Sequence, residues 1–202
     1  MPSADFFSKL GIFTIPEFLD RDRCELIRRE MDENAHVTAT VGRKTGEYVV
    51  DNSIRSAKFT DIGDETERGL HRKLLDVMPR ISEHFGIELA GTQPLQFLKY
   101  QTGDHYRAHV DRRDDEQASE IARQRRISAV IFLNDQTEGK SAGGYVGGAL
   151  TFYGLLRDPR LANRGLALTG QAGLLVAFRP ETMHEVTRVD WGVRNTIVTW
   201  YK

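Results

Sequence analysis

The stretch "YRAHVD", residues 106–111, places His109 and Asp111 one residue apart. Side chains two residues apart on a β-strand point to the same face, so an extended chain here would present an imidazole and a carboxylate side by side. Such a pair could supply two ligands to a metal ion. Because His-x-Asp is also a common accident on surface strands, the pair alone does not establish a site.

His184 could supply a third ligand. It follows the apolar run "GLLVAF" and Pro180, and it begins another predicted strand. Two histidines and one carboxylate that leave coordination positions open are typical of non-haem Fe(II) enzymes that use O₂. The same ligands would also satisfy zinc, with Glu181 or Glu185 as the general base of a hydrolase. The ligand set therefore leaves both metals open.

Arg194 helps to choose between an Fe(II) site and a zinc site. It shares one face of a predicted strand with Thr196, Val198 and Trp200, so it is drawn inward if those residues face the core. A buried guanidinium needs an anion, and its fork fits a carboxylate through two hydrogen bonds. That carboxylate could belong to the chain or to a dicarboxylate cosubstrate.

Two helices are predicted in the first half of the chain. Asp20 can cap a helix over residues 21–34, whose apolar face carries Cys24, Ile27 and Met31. Cys24 is the single cysteine, so no intrachain disulfide can form, and we interpret it as buried packing in a reducing compartment. A second helical pattern covers residues 65–85, in which Pro79 predicts a kink or a break near Met78.

Short apolar runs bounded by turn residues follow Gly91 and predict strands. They lie at residues 93–100, 106–111, 126–134, 148–153, 166–169, 173–178, 184–189 and 194–201, with weaker patterns at 13–15 and 48–50. Helices followed by many short strands indicate an antiparallel sandwich or barrel backed by helices. Two segments, 112–126 with room for a short helix and the glycine-rich 135–148, are expected to be loops, the second mobile. Each could cover a cavity mouth or be an ordinary solvated loop.

The length and charge of the chain limit the classes of partner that it is expected to bind. The 202 residues carry a formal net charge of −1 and no linker-like stretch, so we expect one domain over 1–202 and no electrostatic preference for nucleic acid or an anionic membrane. The N-terminus lacks the pattern of a signal peptide, and no run approaches the length of a membrane span. We therefore expect a soluble, cytoplasmic protein that acts on a small molecule or a peptide.

Taken together, "HVD" at 109–111, "HEVTRVDWGVR" at 184–194 and "TIVTWY" at 196–201 resemble the prolyl 4-hydroxylase-like Fe(II)/2-oxoglutarate-dependent dioxygenases. The similarity continues through "FLKYQTGDHYRAHVD", "RRISAVIFLND" and "GGALTFYG", in the same order, and covers residues 94–201. Before residue 94 the match is mainly "DNSIRSAKF", which looks like the strand that enters this fold.

The resemblance implies a mostly β fold with flanking α-helices, a double-stranded β-helix (jelly roll, cupin-like), with its core over about 93–201 and helical support over about 16–90. It implies Fe(II), the cosubstrates 2-oxoglutarate and O₂, and ascorbate as a reductant. Its metal ligands, which are also the catalytic residues, would be His109, Asp111 and His184. Arg194 would anchor the distal carboxylate of 2-oxoglutarate, and the Tyr100 hydroxyl would also bind the cosubstrate. Thr196 and Trp200 would line the pocket.

The implied reaction is hydroxylation of an unactivated C–H bond, with release of succinate and CO₂. The substrate would be a prolyl or similar residue of a peptide or protein, or alternatively a free amino acid or small metabolite; a zinc hydrolase and a non-catalytic binding module remain open. Because Asp111 fills the position that a halide would need, hydroxylation is expected rather than halogenation. Phe132 departs from the family pattern, since related sequences can carry a tyrosine there, and it loses that hydrogen bond.

Other polar residues receive structural interpretations. His105 is expected at the pocket rim or on the surface, and Arg112 and Arg113 could meet an acidic substrate group or lie in a solvated loop. His36, His71 and His84 lie in the helical half without ligand spacing and are interpreted as structural.

Overall fold

The computed structural model describes residues 4–42, 48–112, 119–156, 158–161 and 163–202. Its helices are α1 (Ala4–Lys9), α2 (Arg21–Glu33), α3 (Asp64–Phe85) and α4 (Glu120–Arg123), with a 3-10 turn at Pro159–Leu161. The first strands are β1 (Ile12–Ile15), β2 (His36–Thr38), β3 (Val41–Gly42), β4 (Tyr48–Val49), β5 (Arg55–Ser56), β6 (Lys58–Thr60), β7 (Gln96–Gln101) and β8 (His105–His109). The remaining strands are β9 (Ile127–Phe132), β10 (Tyr145–Gly147), β11 (Leu150–Phe152), β12 (Leu166–Leu168), β13 (Leu175–Phe178), β14 (His184–Val186) and β15 (Val189–Tyr201).

Helix α2 begins where the sequence predicts. The Asp20 side chain caps it by accepting a hydrogen bond of 2.7 Å from the backbone N–H of Arg23. The apolar face with Cys24, Ile27 and Met31 is fully buried, which confirms the prediction. Burial raises the pKa of the Cys24 thiol to about 11, so the thiol is protonated at neutral pH and serves as packing.

Helix α3 is continuous through Pro79, so of the predicted kink or break, the break is wrong. Proline removes the N–H that would donate to the carbonyl of Leu75. Both residues are exposed, and water can satisfy the carbonyl there. The opposite face of the helix, with Leu70, Leu74 and Ile81, is buried and holds the turns together.

Two antiparallel sheets form the β core. The larger has eight strands in the order β1-β13-β9-β15-β7-β6-β2, with β10 paired to the start of β15; the smaller has the order β12-β11-β14-β8-β5. Strands β3 and β4 form a separate pair. The strands predicted from Gln93 onward, the two weaker ones and the short helix in 112–126 are present, while α1, β2, β3 and β10 were not predicted.

Strand β9 shows why the layers form. Ile127, Ala129 and Ile131 pack with helices α2 and α3 on one face of the larger sheet. Val130 and Phe132, which alternate with them, pack against β11 and β12 of the smaller sheet. A strand buried on both faces reads as a continuous apolar run, and β9 is buried throughout. The larger sheet therefore packs against the helices on one face and against the smaller sheet on the other. This arrangement confirms the mostly β architecture backed by helices.

The glycine-rich segment 135–148 is not wholly a loop. Tyr145, Val146 and Gly147 form β10, which pairs with residues 189–192 of β15, and Tyr145 is fully buried. The expectation of a mobile loop is wrong for these three residues, because a partner strand more than 40 residues away supplies their hydrogen bonds. Among the described residues, no helix is long and apolar enough to cross a membrane.

Candidate metal and cosubstrate site

Three candidate ligands meet between the two sheets. His109 ends β8, and His184 begins the neighbouring β14 directly opposite it, with the two ring centroids 4.3 Å apart. Asp111 Oδ1 lies 3.6 Å from Nε2 of His109, and Asp111 Oδ2 lies 3.7 Å from Nε2 of His184. One ligand atom from each residue lies within 4.8 Å of the others, a spacing that a single metal ion can bridge.

Asp111 does not lie on the strand, contrary to the sequence-based expectation. Strand β8 ends at His109, and the backbone N–H groups of Asp111 and Arg112 both donate to the carbonyl of Pro180, at 2.8 and 3.1 Å. These bonds tie the chain after β8 to the turn before β14. The carboxylate thus reaches the histidines through a turn and not through strand alternation.

The surroundings fix which histidine nitrogens face the centre. Nδ1 of His109 lies 2.8 Å from the carbonyl of Arg107, and Nδ1 of His184 lies 2.9 Å from the carbonyl of Thr182. A carbonyl only accepts, so each Nδ1 carries a proton and each Nε2 is the nitrogen that faces the carboxylate and could bind a metal. Burial, opposed by the charge of Asp111, lowers the pKa of His184 to about 4 and keeps that ring neutral near pH 7.

Asp111 is held as an anion. Burial by itself raises its pKa, but the positive charge that the His184 and His109 rings carry when protonated, and hydrogen bonds from His109 and Ser128, outweigh burial, and the pKa falls below its usual range. Ser128 Oγ donates to Asp111 Oδ2 at 2.7 Å, and the Arg125 guanidinium donates to the Asp111 carbonyl at 3.0 Å. Two imidazole nitrogens and one oriented carboxylate fit Fe(II), and this donor set alone would also fit zinc.

The two candidate bases of a zinc hydrolase are engaged elsewhere. Glu181 forms an ion pair with Arg112 at 3.1 Å. Glu185 follows His184 on β14, and its carboxylate accepts a hydrogen bond of 2.6 Å from the Tyr153 hydroxyl. Each carboxylate thus has another partner, and neither belongs to the cluster of potential metal ligands found among the described residues.

Arg194 forms a second polar centre on the larger sheet. It is 2 % exposed, and its guanidinium carbon lies 5.1 Å from the ring centroids of both Tyr100 and Phe132. Nη1 donates to Thr196 Oγ1 at 3.2 Å, while Nε has no hydrogen-bond partner in the described part of the chain. Among the described residues, no carboxylate forms an ion pair with this guanidinium.

The remaining predicted site residues divide between the two centres. Tyr100 and Thr196 lie at Arg194, Tyr100 opposite it on β7. Trp200 lies at the other end, where it pairs with Ser128 and where the Arg125 guanidinium lies 3.5 Å from the centre of its indole ring. The indole Nε1 is buried without a partner among the described residues. Residues 194–200 of β15 thus run from one centre to the other.

Tyr145 is a residue that the sequence analysis missed. It is fully buried on β10, opposite Gly192, and its hydroxyl lies beside the ring of Phe132 and near Arg194. An isolated aromatic residue in a glycine-rich stretch lacks strand alternation, so only its spacing of three residues from the "GAL" start of the next strand could have drawn attention to it.

The other polar residues are placed outside these centres. His105 contacts the Ser53 carbonyl at 3.4 Å, and Arg113 falls outside the described residues. His36 and His71 bond to threonine hydroxyls, and the His84 ring lies 5.0 Å from that of Phe13. None of these three histidines belongs to the cluster of potential metal ligands found among the described residues.

A comparison with models of known protein families shows the family to which this chain belongs. The model of the "2OG-Fe(II) oxygenase superfamily" matches residues 95–202, more than half of the chain. The chain belongs to this superfamily. Membership confirms the resemblance noted in the sequence, and it implies Fe(II) and 2-oxoglutarate as the metal and the cosubstrate.

Two curated relatives of this oxygenase come from Arabidopsis thaliana. Probable prolyl 4-hydroxylase 10 is 26% identical over 122 residues, which are 60% of this chain and 40% of the relative. Probable prolyl 4-hydroxylase 3 is 24% identical over 187 residues, which are 89% of this chain and 63% of the relative. The chain therefore spans less than two thirds of the length of each relative.

Solved structures establish the fold of the oxygenase. A Pseudomonas putida prolyl-4-hydroxylase matches with a TM-score of 0.68 and 24% identity, covering 98% of this chain and 96% of the other. A Trichoplax adhaerens prolyl hydroxylase, solved with a peptide fragment of the hypoxia inducible factor oxygen degradation domain, matches with a TM-score of 0.73 and 20% identity, covering 98% and 86%. The fold is the double-stranded β-helix, as the sequence resemblance implied.

Proposed function

We propose that the protein is an Fe(II)- and 2-oxoglutarate-dependent hydroxylase of a prolyl or similar residue in a peptide or protein. Its iron ligands would be His109, Asp111 and His184. The observation that carries the proposal is the Arg194 guanidinium, buried and without a carboxylate partner in the described chain. Burying an unpaired charge is costly, and a dicarboxylate cosubstrate would supply the missing anion.

The protein's own groups would perform three tasks. The Nδ1–H bonds to backbone carbonyls and the Ser128 bond to Asp111 hold the three ligands in orientation. The Arg194 fork would fix one end of the cosubstrate, with Tyr100 and Thr196 beside it and Trp200 lining the metal end. The iron and 2-oxoglutarate, when bound, would supply the oxidation of a C–H bond by O₂ to an alcohol, with release of succinate and CO₂.

Two exposed apolar side chains next to the strands of the smaller sheet, and the names of the relatives, support a peptide substrate. Met183 precedes the ligand His184 and Ile54 precedes the edge strand β5 next to β8, and both side chains are exposed. These apolar groups suit a prolyl ring and its neighbours. Both curated relatives are named probable prolyl 4-hydroxylases, and the Trichoplax adhaerens structure holds a peptide.

The test combines binding and turnover. Protein loaded with Fe(II) without oxygen should bind 2-oxoglutarate, and with O₂ it should release succinate in step with the gain of one oxygen atom by proline-containing peptides. If ascorbate acts only by reducing iron that has become oxidised, the amount of ascorbate consumed should be smaller than the amount of succinate released. Free amino acids and small metabolites are assayed in parallel, because turnover of these alone would replace the peptide assignment.

A matched pair of arginine variants sharpens the test. Arg194→Met should weaken 2-oxoglutarate binding by about 100-fold or more, since it removes both the charge and the fork. Arg188→Met removes an exposed arginine from the same part of the chain and should leave binding unchanged. Iron and 2-oxoglutarate binding without succinate from any substrate would favour a binding module, and zinc in place of iron with no 2-oxoglutarate binding would favour a hydrolase.

A further inference from the structure

We propose that Tyr145 is a second cosubstrate-binding residue, whose hydroxyl donates a hydrogen bond to the distal carboxylate of 2-oxoglutarate beside Arg194. The inference rests on the proposed function, because it assigns a further contact to the same cosubstrate. It concerns a residue outside the set that the sequence analysis singled out.

The first support is an unmet hydrogen-bonding requirement. Tyr145 is fully buried, and no group in the described ranges accepts a hydrogen bond from its hydroxyl; the nearby Arg194 guanidinium can only donate to it. The Arg194 Nε–H also has no acceptor there. Buried polar groups are rarely left unpaired, so two buried unpaired donors in one region indicate an acceptor that the protein itself does not provide.

The second support is the position of Tyr145 next to Arg194. Tyr145 pairs with Gly192 across β10 and β15, which makes Arg194, two residues further along, its diagonal neighbour. A Cβ added at Gly148, where φ is +60°, would meet Arg194 Cδ at 3.1 Å and Tyr145 Cε2 at 3.3 Å. The arginine stem and the tyrosine ring therefore flank the same glycine.

The third support is how the hydroxyl is enclosed. A Cβ added at Gly170 would lie 2.2 Å from the Tyr145 hydroxyl and 2.5 Å from Phe132 Cδ1, so the hydroxyl lies beside the Phe132 ring. That ring offers no acceptor. Burial raises the pKa of Tyr145, while the charge of Arg194 and a hydrogen bond from its guanidinium oppose the rise, so the hydroxyl keeps its proton and is available as a donor at neutral pH.

The ligand chemistry follows from the donors. The guanidinium offers donors and a positive charge but no acceptor, and the hydroxyl offers one further donor. A carboxylate offers about four lone-pair positions and a negative charge, so it can accept from both groups and neutralise the arginine. Water could accept one bond but would leave the charge uncompensated. The distal carboxylate of a keto diacid meets both requirements.

The experiment removes the hydroxyl and keeps the ring. Binding of 2-oxoglutarate and of 2-oxopentanoate, which has the same carbon chain without the distal carboxylate, is measured by calorimetry on Fe(II)-loaded protein without oxygen. Tyr145→Phe should weaken 2-oxoglutarate binding by about 10-fold to 100-fold, as expected for a buried hydrogen bond to a charged group. Its affinity for 2-oxopentanoate should equal that of the unaltered protein.

Tyr201→Phe is the matched control. Its hydroxyl is also buried, but it donates to the Leu74 carbonyl at 2.9 Å on the helix side of the larger sheet. This variant should keep its affinity for both ligands. The proposal is overturned if Tyr145→Phe binds 2-oxoglutarate as tightly as the unaltered protein, or if it loses affinity for both ligands equally. Failure of the unaltered protein to bind 2-oxoglutarate would instead overturn the proposed function.

Discussion

At the scale of single residues, the orientation of the two histidines is a local property. Each Nδ1 bonds to the carbonyl two residues earlier, that of Arg107 for His109 and that of Thr182 for His184. The tautomer that leaves Nε2 free is therefore set by the chain segment that carries each histidine. The carboxylate is different, because Asp111 needs Ser128 from another strand and Pro180 from a turn.

Ser128→Ala should weaken Fe(II) binding by about 10-fold to 100-fold. The substitution removes the hydroxyl that donates to Asp111 Oδ2 and fits the same space, so the fold should be retained. Calorimetric titration with Fe(II) in the absence of oxygen measures the change.

Thr199→Val serves as the control for Ser128→Ala. The Thr199 hydroxyl is also buried in the larger sheet, but it donates to the Gln93 carbonyl at 2.8 Å and does not contact the three ligands. This variant should lose some stability and keep its Fe(II) affinity. Equal Fe(II) affinities for Ser128→Ala and the unaltered protein would show that this hydrogen bond does not position the carboxylate.

Sequence periodicity predicted some of these residues and missed others for identifiable reasons. Period-two alternation placed Arg194 and Thr196 on a buried face, and both are buried. Alternation could not place Asp111, because a turn held by the Pro180 carbonyl brings it to the histidines. Tyr145 was missed because its surroundings depend on pairing with Gly192, which no local pattern encodes.

At the scale of elements, helix α3 shows how exposure decides the effect of a proline. Pro79 lies on the solvent face, and four buried apolar residues on the other face keep the helix continuous. The presence of Pro79 in the sequence predicts that one helix hydrogen bond is missing. It does not predict that the carbonyl of Leu75, which loses that bond, lies at an exposed position where water can replace it.

Pro79→Ala should raise the free energy of unfolding by about 1–3 kcal/mol, because it restores the N–H that can donate to the Leu75 carbonyl. Denaturant unfolding followed by circular dichroism measures the difference. Asp76→Ala, at another exposed position of the same helix, should change stability by no more than about 0.5 kcal/mol. An unchanged or lower stability of Pro79→Ala would indicate that the native helix has adapted to the ring.

At the scale of the whole molecule, the candidate site depends on both sheets. The two histidines come from the smaller sheet, and Ser128 and Arg194 come from the larger one. The order of helices and strands along the chain was sufficient to predict a sheet sandwich with helical support. The pairing of β14 with β8, which brings His184 to His109 across 75 residues, was implied only by the family resemblance.

Fe(II) should stabilise the folded protein. A ligand at 100 times its dissociation constant that binds only the folded state adds about 2.7 kcal/mol, which for a chain of this size raises the melting temperature by about 5–10 °C. Thermal unfolding without oxygen, with and without Fe(II), measures the shift. His109→Ala should abolish it, whereas His105→Ala, which removes a histidine outside the three ligands, should preserve it.

Strand β15 carries a constraint on how this protein can diversify. It holds Arg194 and Trp200 about 20 Å apart along one strand. Pairing with β7 on one side and β9 on the other fixes its register. A slip of one residue would turn both side chains away from the interior together. An insertion or deletion of a single residue between Arg194 and Trp200 should therefore disturb both ends of the site at once.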